Sequence, residues 1–163
     1  MSTDLTQRLA YKRNLQSHLS QLSQLTHREV TADDLLPLDV THTIQEQSKR
    51  LLNSSSHKKF KIGFTEKLDA HFATFVRNLQ ALNSNPIYIW IEHTNECGLL
   101  EISSIVEFNF KFEYTVISQG IISLLTKDMS DNMVLDFFED SSGERFIQIE
   151  LAGSSWPTCK RKR

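Results

Sequence analysis

Cysteine, glycine and proline are scarce in this chain of 163 residues, which holds two, five and three of them respectively. Two cysteines, Cys97 and Cys159, are too few to build a disulfide-stapled secreted scaffold. Five scattered glycines supply neither G-x-x-x-x-G-K-[ST] nor G-x-G-x-x-G, so the phosphate-cradling loops of nucleotide-binding proteins are absent. A G-x-S-x-G nucleophile elbow is missing too. No uninterrupted apolar run approaches the roughly 20 residues that a membrane helix needs. The first residues, Met1-Ser-Thr-Asp-Leu-Thr-Gln-Arg, hold no apolar stretch of the secretory kind. The expectation is a cytoplasmic globular protein without membrane attachment. Ten phenylalanines and abundant Leu and Ile are enough for a real core and exclude a wholly disordered chain.

What is present is a strong segregation of charge beneath a net charge of only −2. Residues 1–62 carry nine Lys/Arg and six Asp/Glu, a surplus of +3. Residues 63–152 carry five Lys/Arg against fourteen Asp/Glu, or −9, and residues 153–163 add four cations. The chain thus divides into a helical, mildly basic front (1–62), an acidic body (63–152) and a basic tail (153–163). Such segregation bears on association and solubility rather than on fold.

Apolar spacing makes the front helical. Leu5, Leu9, Leu15, Leu19, Leu22 and Leu25 recur at helical intervals behind Thr3, a candidate N-cap. A second helix is expected after Asp39, carrying Val40, Ile44, Leu51 and Leu52, with Pro37 marking the turn before it. Asn53-Ser-Ser-Ser-His-Lys-Lys59 reads as a polar connector. A third helix is predicted from Thr65 as N-cap, with Leu68, Phe72, Phe75, Val76, Leu79 and Leu82 on one face.

Beyond Pro86 the period changes to two. Ile87, Ile89 and Ile91 alternate with Tyr88, Trp90 and Glu92, and Leu99–Ile102 is expected to pair back on that strand. The row Val106, Phe108, Phe110, Phe112, Tyr114 and Val116 alternates with polar residues and predicts a further strand. Residues 121–126, 133–138 and 146–151 read as three more, joined by short turns that demand antiparallel neighbours. The predicted class is α+β: about three N-terminal helices, then an antiparallel β-meander of five to six strands.

No constellation of catalytic residues emerges, and the chain reads as a non-enzyme that holds no cofactor or metal. His93 and Cys97, flanked by Glu92 and Glu96, form the one local cluster of ligand types, but the second ligand pair of a structural zinc site is lacking. Cys97 sits among carboxylates that oppose a thiolate. Asp136, Glu150 and Lys111 could be imagined around a divalent cation in a nuclease, yet the acidic body offers few cations for a nucleic acid. Tyr88, Trp90 and Glu92 share the wetter face of the first strand, and Glu107, Glu113, Asp136 and Glu150 hold the matching positions on later strands, as do Phe138 and Gln148. Aromatics among acids suit a basic protein partner, as in an immunity protein that neutralises a nuclease toxin. Tyr88 and Trp90 could instead lie beneath the N-terminal helices. The rival reading is nucleic-acid binding by Arg8, Lys12, Arg13, Lys49, Arg50, Lys58, Lys59, Lys61 and the tail Lys160–Arg163, with Tyr11 and Phe60 available for stacking.

Overall fold

The computed structural model describes residues 2–54 and 56–160. Within them, helices α1 (Ser2–Thr26), α2 (Leu38–Ser54) and α3 (Ala70–Leu82) and the one-turn α4 (Thr94–Cys97) accompany six strands. The strands are β1 (Ser56–Gly63), β2 (Ile87–Trp90), β3 (Leu100–Ile102), β4 (Ile121–Thr126), β5 (Asp131–Glu139) and β6 (Arg145–Gly153). They form one sheet in the order β1-β6-β5-β4-β2-β3, with every neighbouring pair antiparallel. The class is α+β, as the sequence predicts. The β2–β3 pairing is the expected one, and β4, β5 and β6 are a meander.

One face of this sheet is the core. Registered rows such as Ile89–Leu124–Met133–Leu151 and Ile122–Leu135–Ile149–Phe60 turn their side chains to it. Phe72, Phe75, Val76 and Leu79 of α3, Leu22 and Leu25 of α1, and Trp156 close over them. Residues 103–119 complete the cover, and here the expected strand is not formed. Apart from a 3-10 turn at Ile105–Glu107 the segment is irregular. Phe108, Phe112 and Val116 are buried and Phe110 and Tyr114 half-buried, while Glu107, Lys111, Glu113 and Thr115 are exposed. Period-two burial therefore survives without a ladder, because the segment lies on the sheet rather than in it. Its backbone bonds go elsewhere: the Asn109 N–H donates to Leu25 O at 2.7 Å and the Lys111 N–H to Asn109 Oδ1 at 2.9 Å. Edge-to-face aromatic contacts fix it, Phe108 on Phe110, Phe110 on Phe72 and Phe112 on Phe64.

Three other expectations are corrected. α3 starts after Asp69 rather than at Thr65, because Phe64–Leu68 is a separate 3-10 turn. That turn is pinned by Lys67, whose buried ammonium donates to Phe112 O at 2.8 Å, and it leaves Leu68 exposed. The polar connector is, from Ser56 on, the edge strand β1, with Phe60 and Ile62 turned to the core and His57, Lys59 and Lys61 to the other face. Its low intrinsic strand propensity is offset by its neighbour: Glu150 of β6 lies 3.3 Å from His57 Nδ1 and 3.9 Å from Lys59 Nζ. Lysines on an edge strand also discourage sheet-to-sheet aggregation. Finally, α1 begins at Ser2, so Thr3 lies inside the helix; its side chain, like residues 161–163 of the basic tail, is outside the described residues.

The end of β6 is tied down by a buried carboxylate. Asp131 is fully buried and accepts hydrogen bonds from the N–H groups of Ser155 (2.9 Å) and Trp156 (2.8 Å) and from Asn83 Nδ2 (2.8 Å). Trp156 then donates its indole N–H to Leu79 O at 3.1 Å, which joins the chain end to α3. Gly153 pairs with Asp131 at φ +136°, where an added Cβ would come within 2.2 Å of Ser130 O. Removing the carboxylate would orphan the Ser155 and Trp156 N–H groups and leave the Asn83 amide nitrogen with Ser130 Oγ alone. Asp131→Ala is therefore expected to cost about 3 kcal/mol or more, read from the urea midpoint at unchanged slope. Glu139→Gln, at a half-exposed ion pair with Arg145, is expected to change stability by less than about 0.5 kcal/mol.

Candidate binding face

The second face of the sheet is covered unequally, and its rows follow from the register. The first row is Tyr88–Leu125–Asn132–Ala152–His57, the second Trp90–Ser123–Val134–Glu150–Lys59, and the third Ile121–Asp136–Gln148–Lys61. Phe138 and Phe146 form the fourth. α2 lies over the first row, where Ile44 packs with Tyr88, Leu99 and Leu125, and Leu36 and Leu51 flank them. Burial beside the Glu101 carboxylate raises the Tyr88 phenol above its ordinary range. A groove of about 300 Å³ runs between α2 and the second row, lined by Gln45, Ser48, Lys49, Leu51, Trp90, Ser123, Leu125 and Asn132. Beyond it no described element packs on the sheet's third and fourth rows. Ile121 is 48% exposed there, and Val134, Asp136, Phe138, Phe146 and Gln148 are half-buried.

The residues singled out from the sequence are thus divided. Trp90, Asp136 and Glu150 share the second and third rows of this face. Tyr88 is only 7% exposed beneath α2. Glu92 lies past the end of β2 and clamps two segments: Gln21 Nε2 donates to it at 2.8 Å, and the Ser118 N–H (3.1 Å) and hydroxyl both donate to it. Burial opposes its charge, but these bonds hold the carboxyl below its usual range. Glu107 and Glu113 belong to the irregular 103–119 segment on the core side of the sheet. The apolar positions of the open face, Ile121, Val134 and Phe146, were not singled out from the sequence. The available signal was that these strands carry large apolar residues at both parities, which full burial on one face alone does not require.

The cations of the rival reading are scattered and partly engaged. Lys58 Nζ donates to Cys159 O at 2.6 Å, Lys59 pairs with Glu150, and Lys61 sits over the Phe146 ring, 4.4 Å from its centroid. Arg8 pairs with Asp4 on α1, and Lys49 with Glu46 on α2.

The His93–Cys97 region is the contact between α1 and α4. His93 Nδ1 lies 3.7 Å from Glu96 Oε2, the Asn14 amide donates to Glu96, and buried Cys97 faces Tyr11 O across 4.0 Å. Burial, then the Glu96 charge, pushes the Cys97 thiol up to about 11, where it is a poor nucleophile. No three His, Cys, Asp or Glu side chains among the described residues gather as metal ligands. No protein-family model matches the chain, nor does any curated protein or solved structure.

One group in this contact couples the fold to pH. His18 of α1 is fully buried, donates Nε2–H to Gly98 O at 2.8 Å, and leaves Nδ1 buried without a partner. Burial lowers its pKa, with the Gly98 bond opposing and nearby His93 assisting. A depressed histidine stabilises the fold above its unfolded value of about 6.5 and loses that contribution as pH falls toward the folded value. The thermal midpoint is expected to drop from about pH 6.5 downward more steeply than in His18→Gln, which keeps a donor for Gly98 but cannot titrate. Parallel pH profiles for the two proteins would assign the acid sensitivity elsewhere.

Proposed function

We infer that the chain is a non-catalytic binding module that docks a basic protein on the open half of its second sheet face. The observation that carries this reading is the open strip Ile121, Val134, Phe138 and Phe146 with Asp136 at its centre, bordered by Trp90 at the edge of the α2 cluster. Asp136 has no ion-pair partner among the described residues, and a cation on the docking surface would complete it. Aromatic and branched anchors around one unpaired charge combine apolar burial with a fixed register, which is how small interfaces concentrate affinity. The groove beside α2 would receive a side chain at the edge of the contact. The reaction machinery that an enzyme needs finds no counterpart in this strip, and a partner that the module blocks by occupancy, such as a basic nuclease toxin, fits its chemistry.

A photo-crosslinking amino acid at position 121 or 148, used in extract of the source cells, tests the reading. The expected result is one basic protein captured from both positions and none from position 111, on the other side of the sheet. With that partner in hand, Asp136→Asn is expected to weaken binding about tenfold, or ~1.4 kcal/mol, and Ile121→Asp to abolish it. Capture from position 111 alone, or association with nucleic acid that is lost when Lys59 and Lys61 become Gln, would overturn it.

A further inference from the structure

We propose that the groove between α3 and residues 105–111 is a binding site for a small anionic amphiphile, an acyl or aryl carboxylate. The cavity measures about 540 Å³, within the size range of ligand sites for molecules of this kind. Its apolar wall is made by Phe72 and Val76 of α3 and by Phe108 and Phe110, and its lip by Leu68 and Val106, which are 54% and 50% exposed.

The charge of the rim selects the ligand. Residues 63–152 carry only five Lys/Arg against fourteen acids, and three of the five, Lys67, Arg77 and Lys111, line this one groove. The other two, Lys127 and Arg145, are spent in ion pairs with Glu101 and Glu139. None of the three groove cations has a carboxylate within ion-pair distance among the described residues. Lys67 donates to Phe112 O and lies over the Phe64 and Phe112 rings, while Arg77 donates to the Thr74 hydroxyl. His27 adds a fourth basic side chain, and Asp69 is the single acid lining the groove. In a body of net charge −9, a concave apolar surface flanked by Arg77 and Lys111, with the buried Lys67 ammonium behind it committed to Phe112 O, is complementary to an anion with an apolar tail. The half-exposed lip would bury the tail, and Arg77 and Lys111, on opposite walls, would hold the head group.

The site lies on the layer that covers the core face of the sheet, so it is separate from the surface proposed for a protein partner. Titration calorimetry of the full chain with dodecanoate, and with dodecyltrimethylammonium as a cation of equal chain length, tests it. Saturable binding of one dodecanoate and none of the cation is expected. Arg77→Gln combined with Lys111→Gln is expected to weaken it about tenfold or more, while Lys127→Gln combined with Lys49→Gln, an equal loss of charge at exposed positions elsewhere, changes it less than about twofold. Val106→Asp, at an exposed position, is expected to abolish binding without unfolding the chain. The proposal is overturned if dodecanoate fails to bind at up to about 1 mM, if the cation binds equally well, or if the Arg77/Lys111 pair can be replaced without loss.

Discussion

Alternation of side chains across a six-stranded antiparallel sheet forces every strand to serve two environments at once, and in this chain the cover available for those environments is unequal. On one side α3, the end of α1, residues 103–119 and Trp156 enclose a continuous core, and rows such as Ile122–Leu135–Ile149–Phe60 disappear into it. On the other side a single helix, α2, covers the first row and borders the second at Trp90 and Ser123. The remaining rows keep large apolar side chains at positions that water can reach. A shift of any strand by one residue would exchange the two faces, so the buried rows fix the register and thereby fix what the open face displays. The Asp131–Trp156 knot strengthens the same constraint, because it locks the paired ends of β5 and β6 against α3.

Charge follows the same geometry. The surplus of cations in the front of the chain and of acids in the body looks, along the sequence, like a separation into two poles. In the fold it becomes partly a cross-strand pairing, with His57 and Lys59 of β1 against Glu150 of β6. The acids do not gather on one face: Glu92 is consumed in a clamp between α1 and residue 118, and Glu107 and Glu113 sit on the far side from Asp136. What stands out after this pairing is what is left over. Asp136 remains at the centre of the open strip, and Arg77 and Lys111 remain at the groove of α3.

Element type was legible in the sequence wherever period and length agreed. The helical stripe of α3, the Ile row of β2 and the runs of β4 to β6 all appear within a few residues of their expected positions. Two errors have physical causes. The Phe108–Val116 row carries a strand's alternation because it is buried on one side only, and period alone does not report whether the backbone is paired. β1 was hidden for the opposite reason: His57, Lys58, Lys59 and Lys61 are poor strand formers alone, and their strand exists because β6 offers a ladder and a carboxylate. The candidate site was legible only in part. Trp90, Asp136 and Glu150 could be placed on one side by parity, but the register that adds Ile121, Val134 and Phe146 depends on long-range pairing. Tyr88 could not be assigned to cover or surface until α2 was placed.

The unequal cover is the claim on which the account of this protein turns, and adjacent residues of one strand can test it. Hydroxyl-radical footprinting of the native chain, read residue by residue by mass spectrometry, compares Phe137 with Phe138 on β5 and Phe146 with Ile147 on β6. Phe138 and Phe146 are expected to oxidise readily, together with Ile121 and Trp90, while Phe137, Ile147 and Tyr88 stay protected until the chain unfolds. Equal protection of Phe137 and Phe138, or rapid oxidation of Tyr88, would contradict it.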